Sequence, residues 1–353
     1  EIARHHGVVA GRVREDLGES APAIENSSRP LAKVTTRSLS ALQLYSQATD
    51  AFGQGRVGQV PALLQSALAQ DPEFAMARRL MAQIHEMMGN RAAEQEELKR
   101  AYDLRQSVTQ RERRLIEASY YNLIGDDTSA INALIALVTL YPDDPDAHAL
   151  LASEYYDLGD LGSAIQQLRQ VIKIDPGSAS AYGKLVTWLA RNNAPDQAIQ
   201  VYQEAASRGL DSSNARWGLG MALWNEGKVA EAEAEFRRLQ EANPPYASIG
   251  RIYFARVLIY KGRLLEASEQ LASGIREDQV ARNKSPELLG RYLLARTAVD
   301  RGDRAAALRQ LILIMRTGEP KAFQATDLER AGAMYAQMGE VRFAIRALKN
   351  LEE

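Results

Sequence analysis

Residues 148–176 read HALLASEYYDLGDLGSAIQQLRQVIKIDP, and the fold depends on the pattern in this stretch. Apolar and small residues recur at helical spacing up to a break at Gly159, and a second apolar period of the same kind follows. Pro176 then ends the stretch, because proline cannot continue the hydrogen-bond ladder of a helix. The segment therefore predicts two helices joined by a tight turn.

The same pattern recurs along nearly the whole chain. A glycine lies 34 residues before Gly159, and Asn193 lies 34 residues after it. The full series of turn positions is Gly55, Gly89, Gly125, Gly159, Asn193, Gly227, Gly262, Gly302 and Gly339, and its last three intervals lengthen to 35, 40 and 37 residues. A period of this length indicates a repeat architecture in which each helix pair buries its apolar face against the next.

A small residue recurs five positions after each turn from Gly125 onward. These residues are Ala130, Ala164, Ala198, Ala232, Ala267, Ala307 and Ala344. Two helices approach closely only where a side chain at their crossing is small. The alanines are therefore predicted to lie at buried helix crossings, where leucine would overpack the repeat by about 1 to 3 kcal/mol.

The pattern resembles the tetratricopeptide repeat. The family's characteristic positions fall on His148, Leu151, Ala152, Tyr155, Ala164, Leu168, Val171 and Pro176, with His148 replacing the usual tryptophan. The resemblance implies an all-α fold, a right-handed superhelix (α-solenoid) of about nine helix-turn-helix repeats over residues 41–353. The longer spacers at 276–286 and 317–325 predict elongated helices or loops in the last repeats.

Residues 1–40 differ from the rest. The segment 1–18 reads as one amphipathic helix, and 20–37 reads as an extended connector rich in Ser, Asn and Pro. Residues 17–46 resemble the linker that precedes tetratricopeptide arrays in multidomain bacterial signalling proteins, where a kinase, winged-helix or cyclase-type module comes first. That resemblance implies a junction to an upstream domain.

Composition excludes several functions. The chain has 353 residues and a formal net charge of -2, so it lacks the surplus of Lys and Arg that sequence-blind nucleic-acid binding needs. It has no cysteine, which removes disulfides and thiolate chemistry and leaves the compartment, cytoplasmic or periplasmic, undecided. No apolar run approaches the roughly 18 residues of a membrane helix.

No motif indicates catalysis, a metal or another cofactor. Each of the four histidines, His5, His6, His85 and His148, lacks a catalytic motif, and the last two are expected to serve packing. Asp144 or Asp146 reads as a helix cap rather than a calcium ligand. Gly218 and Gly220 read as close-packing glycines, and Arg111, Arg113 and Arg114 as a solvated helix face balanced by nearby Glu residues. The chain is therefore predicted not to be an enzyme.

The resemblance also assigns groove positions to each first helix. Carried onto this sequence, they are Asp146, Ser153, Tyr156, Asp157, Thr187, Arg191, Asn214, Trp217, Met221, Trp224, Asn225, Arg256, Tyr260, Tyr292, Arg296 and Asp300. Because Trp and Arg are enriched in binding hot spots, Trp217, Trp224 and Arg256, with Tyr260, are the favoured contacts for a protein or peptide partner. The alternative is that both tryptophans pack between neighbouring repeats as core.

Two functions remain open. The first is a non-catalytic interaction scaffold that binds a peptide or protein segment in its concave groove, as the sensory or assembly part of a bacterial signalling protein. The second is an accessory role with a pocket between repeats for a small ligand or glycan. An open groove crossed by aromatics and Arg would favour the first, and a deep, closed, polar pocket the second.

Self-association through the leader helix or the last repeat is a further expectation, since array ends expose apolar surface. The Lys and Asn clamp by which chaperone-type members bind a terminal carboxylate is absent, because Gly183, Trp217 and Ile252 occupy those positions.

Overall fold

The computed structural model describes residues 35–54, 56–281, 283–316 and 325–340. Within these residues it contains 17 α-helices, a single 3-10 turn at Val57–Gln59 and no strand. The predicted leader helix and most of the connector, together with the spacer 317–324 and Ala344, lie outside the described residues. Eight complete helix pairs and the first helix of a ninth are described, in agreement with the repeat pattern.

The chain divides into two compact units, Glu1–Gln167 (unit 1) and Leu168–Glu353 (unit 2). The helices of unit 1 are α1 (Leu39–Gly53), α2 (Val60–Gln70), α3 (Ala75–Met87), α4 (Arg91–Asp103), α5 (Gln110–Leu123), α6 (Asp127–Leu140) and α7 (Pro145–Asp157). Helix α8 (Leu161–Ile174) contains the division between the units. In the three pairs α1–α2, α3–α4 and α5–α6 the first helix contacts the second, and α3 also contacts α5, the first helix of the next pair.

The helices of unit 2 repeat this arrangement. They are α9 (Ala179–Arg191), α10 (Pro195–Ser207), α11 (Ser213–Asn225), α12 (Val229–Leu239), α13 (Tyr246–Tyr260), α14 (Leu264–Ala281), α15 (Lys284–Asp300), α16 (Arg304–Arg316) and α17 (Ala325–Gln337). First helices follow one another in contact, α9 with α11, α11 with α13 and α13 with α15. Helices α14 and α15 have 18 and 17 residues, which confirms the elongation predicted around 276–286.

The turns and small residues lie as the repeat predicts. Gly159 has a φ of 81° and Asn193 a φ of 54°, so both adopt the left-handed conformation that closes the turn between paired helices. The other predicted turn glycines behave in the same way, except Gly55, which lies outside the described residues. The six alanines from Ala130 to Ala307 in the predicted series have no exposed surface. These helix crossings therefore leave no room for a larger side chain.

His148 takes part in the packing of unit 1, as expected. The ring is buried, its Nδ1 lies 2.7 Å from Gln167 Oε1, and its Nε2 lies 3.0 Å from the carbonyl oxygen of Pro142. Both ring nitrogens thus lie within hydrogen-bond distance of a polar atom, at a position where the family's tryptophan would offer a single N–H. Asp144 caps α7, because its Oδ1 accepts hydrogen bonds from the backbone N–H of Asp146 and Ala147.

One expectation holds only in part. Arg111, Arg113 and Arg114 are partly exposed, and Glu117 balances Arg114 as expected, but Arg111 pairs with an aspartate that the expectation did not include. Arg111 Nε lies 2.6 Å from Asp144 Oδ2, and Arg114 Nη1 lies 2.9 Å from Glu117 Oε2. Arg113 Nε donates to the carbonyl oxygen of Arg105 at 3.2 Å. The sequence pattern did not indicate the ion pair of Arg111, because its partner Asp144 lies in the next repeat, 33 residues along the chain.

Candidate functional site

Helix α11 carries five of the predicted groove residues, more than any other helix, and Gly218 determines how closely α9 approaches it. A Cβ atom on Gly218 would lie 2.7 Å from the backbone nitrogen of Thr187, so α9 packs directly against the α11 backbone. Ser212 caps the start of α11 by accepting a hydrogen bond from the Ala215 N–H at 3.2 Å. The close-packing role predicted for Gly218 is confirmed.

A pocket of about 240 Å³ opens beside α11 within unit 2. Its walls come from four helices, α9, α11, α12 and α13. The lining residues are Ala190, Arg191, Met221, Trp224, Asn225, Phe236, Tyr253 and Arg256, and this set is called the Trp224 pocket below. Five of the predicted groove residues meet here, namely Arg191, Met221, Trp224, Asn225 and Arg256.

Most of the apolar surface of the Trp224 pocket comes from Met221, Trp224, Phe236 and Tyr253. Phe236 is almost fully buried, and its ring centroid lies 5.1 Å from that of Tyr253. Neither ring was among the predicted groove residues. Phe236 lies on a second helix, where the repeat pattern assigns it to packing, and Tyr253 falls outside the family's groove positions. Both residues serve the core and the pocket together.

The polar groups of the Trp224 pocket are two arginines and one amide. Arg256 is exposed, with its guanidinium carbon 5.1 Å from the Tyr253 ring centroid in a cation–π contact. Asn225 Nδ2 donates to the Ala190 carbonyl oxygen at 2.9 Å and so ties α11 to α9. The lining contains no carboxylate, and Arg191 adds a second positive charge. The pocket therefore suits an apolar group accompanied by a negative charge.

The two tryptophans of α11 have different surroundings. Trp217 is partly buried against the core of unit 2, 5.9 Å from the Tyr253 ring centroid, and its buried Nε1 has no hydrogen-bond partner among the described residues. Trp224 lines the pocket and makes an edge-on contact with Tyr260 at 5.2 Å. Tyr260 is 69% exposed and extends the aromatic surface beyond the pocket.

The remaining predicted residues lie outside the Trp224 pocket. Asn214 lies at the other end of α11, where its Oδ1 accepts a hydrogen bond from Thr187 Oγ1 at 3.3 Å. On α15, Tyr292 packs partly buried against the core around α16 and α17, and Arg296 pairs with Asp300 at 3.3 Å. Tyr156 is half-buried on α7 and belongs to unit 1.

Neither a metal cluster nor a membrane-spanning helix is found in the part of the chain that the structure describes. No three His, Asp or Glu side chains there are grouped so that they could hold a metal ion. No helix there combines the length and apolar character needed to cross a bilayer. The His5 and His6 pair lies outside the described residues.

Comparison with known proteins identifies the repeats. Residues 125–189 and 186–247 match models of the tetratricopeptide repeat. A solved Rap protein, complexed with competence and sporulation factor, superposes with a TM-score of 0.56 at 14% identity, covering 89% of this chain and 97% of that one. The human IFIT1 dimer with PPP-AAAA gives a TM-score of 0.50 at 15% identity, covering 90% of this chain and 78% of that one. The predicted all-α tetratricopeptide-type α-solenoid is confirmed as the fold class.

A curated relative matches part of the chain. It is the cytochrome c-type biogenesis protein CycH of Rhizobium meliloti (strain 1021), 29% identical over 143 residues, which are 38% of this chain. The match covers 37% of CycH. The chain therefore aligns with little more than a third of that relative's length.

Proposed function

We propose that this chain is a non-catalytic scaffold that binds a segment of a partner protein in the Trp224 pocket. The observation that carries the proposal is the convergence of Trp224, Met221 and two arginines, from three first helices, around one open pocket with an aromatic wall. Tetratricopeptide proteins are generally non-catalytic scaffolds, and the repeats found here support the same role.

The chemistry of the Trp224 pocket specifies the segment. The indole of Trp224, the Met221 side chain and the Phe236 and Tyr253 rings suit an aromatic or branched apolar side chain. Arg191 and Arg256 suit a carboxylate, because a guanidinium binds carboxylate oxygens through two parallel hydrogen bonds. The expected recognition element is an apolar residue next to Asp or Glu.

The alternative, a small ligand or glycan held between repeats, is less well supported. Asn225 and Arg256 on the pocket edge are exposed, and so is the adjoining ring of Tyr260. An aromatic surface that continues beyond a pocket favours an extended chain over a molecule enclosed on all sides.

The biological setting is a further part of the proposal. The resemblance of residues 17–46 to linkers of bacterial signalling proteins supports a sensory or assembly part, with a leader over 1–40 and the solenoid over 41–353. The partial match to CycH supports the assembly side of that role, in cytochrome c-type biogenesis. Self-association through the leader or the last repeat remains a prediction.

The experiment uses the full chain and a library of end-blocked decapeptides in which Phe, Leu or Ala is followed by Asp, Asn or Lys. We expect saturable binding only of peptides that combine Phe or Leu with Asp. Trp224→Ala and Arg256→Ala should each weaken that binding about tenfold or more. The matched control is Arg208→Ala, which removes an exposed arginine paired with Glu204 at the end of α10.

Circular dichroism verifies that each variant keeps the helix content of the parent. Equal binding of the Asp, Asn and Lys peptides would remove the role assigned to the arginines. If Trp224→Ala binds the peptide as tightly as Arg208→Ala and the parent chain do, recognition lies elsewhere on the chain.

A further inference from the structure

Unit 1 contains a second pocket, and Asp157 is its one lining residue among the predicted groove positions. Its volume is about 210 Å³. The lining residues are Arg79, Ala82, Gln83, Glu86, Glu94, Leu98, Leu115, Ala118, Ser119, Asn122, Leu134, Leu150, Glu154 and Asp157, called the Glu94 pocket below. All of them belong to helices α3 to α7.

The Glu94 pocket has an apolar interior and a polar mouth. Leu98, Leu115 and Leu134 are buried and form the inner wall. Gln83, Glu86, Asn122 and Asp157 are exposed and surround the opening. A long side chain with an apolar stem and a polar end could therefore enter with its stem against the leucines.

Four carboxylates and one guanidinium line the Glu94 pocket. The guanidinium, that of Arg79, is held on the pocket wall, where its Nε donates to Ser119 Oγ at 2.9 Å and to the Leu115 carbonyl oxygen at 3.3 Å. The charged and titratable neighbours that act on Arg79 are Tyr45, Arg111 and Asp146, none of which lines the pocket. One positive charge thus stands against four carboxylates, and the lining has an excess of negative charge.

Glu94 is the least expected of these acids. The residue is only 8% exposed, and its carboxylate accepts no hydrogen bond from any residue in the described parts of the chain. The carboxylate oxygens keep some contact with solvent, because they are not among the fully buried atoms that lack a partner. The opposite charge that acts on the Glu94 pKa is that of Arg91, whose Nη2 donates to the Leu123 carbonyl oxygen at 3.2 Å. Burial, together with Glu86, raises the pKa of the Glu94 carboxyl all the same. An incoming cation would replace the restricted solvation of this carboxylate with an ion pair.

Glu154 faces the same pocket from α7. Asn122 Nδ2 donates to both of its carboxylate oxygens, at 3.1 and 3.0 Å, and holds the group in place. Burial raises the pKa of Glu154 despite this amide, and the charges of Asp157, Asp127 and Glu86 add to the rise. Glu86 acts on both Glu94 and Glu154, so one negative field spans the pocket.

We propose that the Glu94 pocket binds the side chain of a lysine or arginine from a peptide partner. The leucines contact the aliphatic stem, and Glu94 and Glu154 receive the cationic head. This site lies wholly within unit 1 and does not depend on the function proposed for the Trp224 pocket.

The test is calorimetric titration of the full chain at low ionic strength with four probes. They are acetyl-Gly-Lys-Gly-amide, acetyl-Gly-Arg-Gly-amide, the uncharged acetyl-Gly-Met-Gly-amide and 1,5-diaminopentane. We expect the Lys or the Arg peptide to bind at least about tenfold more tightly than the Met peptide. Glu94→Gln and Glu154→Gln should each abolish that difference, whereas Trp224→Ala should preserve it.

The matched control is Glu96→Gln, an equal loss of charge on the same helix at a side chain that is 60% exposed. Should Glu94→Gln fail to fold, Glu154→Gln alone still tests the site. Equal binding of the charged and uncharged peptides, or no saturable binding of either cationic peptide, would overturn the proposal. An equal loss in Glu96→Gln and Glu94→Gln would also overturn it, because it would reveal a nonspecific charge effect. Tighter binding of the diamine than of both peptides would overturn the assignment to a peptide side chain.

Discussion

The ring of Phe236 occupies the space where Gly220 would carry a side chain, since a Cβ atom there would lie 2.4 Å from Phe236 Cε1. The contact joins α11 to α12 and places an aromatic ring against the Trp224 pocket. Even the smallest added side chain would have to displace a ring that is 1% exposed. Gly220 is therefore required by packing, as the sequence pattern indicated.

Gly220→Ala is expected to lower the free energy of unfolding by about 1 to 3 kcal/mol through overpacking. Urea unfolding followed by circular dichroism measures the change. Gly53→Ala is the control, because a Cβ atom at the end of α1 would have nothing within 4 Å. That variant should be unchanged or more stable by up to about 1 kcal/mol. A Gly220→Ala chain as stable as the parent would mean that the ring moves without cost.

Ala232→Leu tests the helix crossings. Ala232 is fully buried on α12, so leucine should cost about 1 to 3 kcal/mol. Ala234→Leu adds the same atoms to an exposed position of the same helix and should change stability by less than about 0.5 kcal/mol. Similar chemical-denaturation midpoints for the two variants would contradict the role of small residues at the crossing.

Gly159 and Asn193 test the turn conformation. Gly159→Ala should cost about 1 to 2 kcal/mol, because the residue adopts a φ of 81° that a Cβ atom disfavours. Asn193→Gly, at a φ of 54°, should be neutral or slightly stabilising. Gly162→Ala lies three residues from Gly159 within α8 and should stabilise by up to about 1 kcal/mol. A loss in Gly162→Ala equal to that in Gly159→Ala would show that the left-handed turn is not the cause.

Glu94→Gln should change how stability depends on pH. Because burial and Glu86 raise the Glu94 pKa in the folded chain, folding favours the protonated carboxyl. The ionised group therefore destabilises the fold above its folded pKa, and this penalty disappears as the pH falls below its ordinary unfolded pKa. Glu94→Gln is expected to raise the melting temperature at neutral pH, and this gain should vanish below about pH 4.

Thermal melts of Glu94→Gln and Glu96→Gln across this pH range measure the difference. Glu96 lies exposed on α4 and pairs with Arg100, so its replacement should have little effect at any pH. A melting temperature of Glu94→Gln that stays level with the parent at neutral pH would contradict an unpaired buried charge.

The repeat could be predicted in detail because its signals are local. A turn residue like Gly159 recurs along the chain, followed from Gly125 onward by an alanine five residues later, and both properties depend on the backbone of a single helix pair. The Asp144 cap is local in the same way. The pairing of Arg111 with Asp144 was missed because it joins adjacent repeats. The glutamates close to Arg111 in the sequence suggested a solvated, charge-balanced helix face instead.

The Trp224 pocket was predicted in part for a related reason. The family's groove positions identified Trp224 and Arg256 from their places along first helices, and the structure brings them together. They could not identify Phe236 or Tyr253, whose side chains reach the pocket only through the packing of α12 and α13 on α11. Tyr292 and Arg296 fulfil the same positional rule and lie outside the pocket.

The sequence by itself determined that this chain forms successive helix pairs, where they turn and which alanines are buried, since these properties follow from a period repeated in every pair. Only the tertiary structure decided which side chains meet across pairs. It buried most of Glu94, whose charge favours the surface, in the wall of an open acidic pocket, and it surrounded Trp224 with rings from other helices. The physical reason is that such a meeting depends on the angle and distance between neighbouring helices, which the combined packing of many side chains determines.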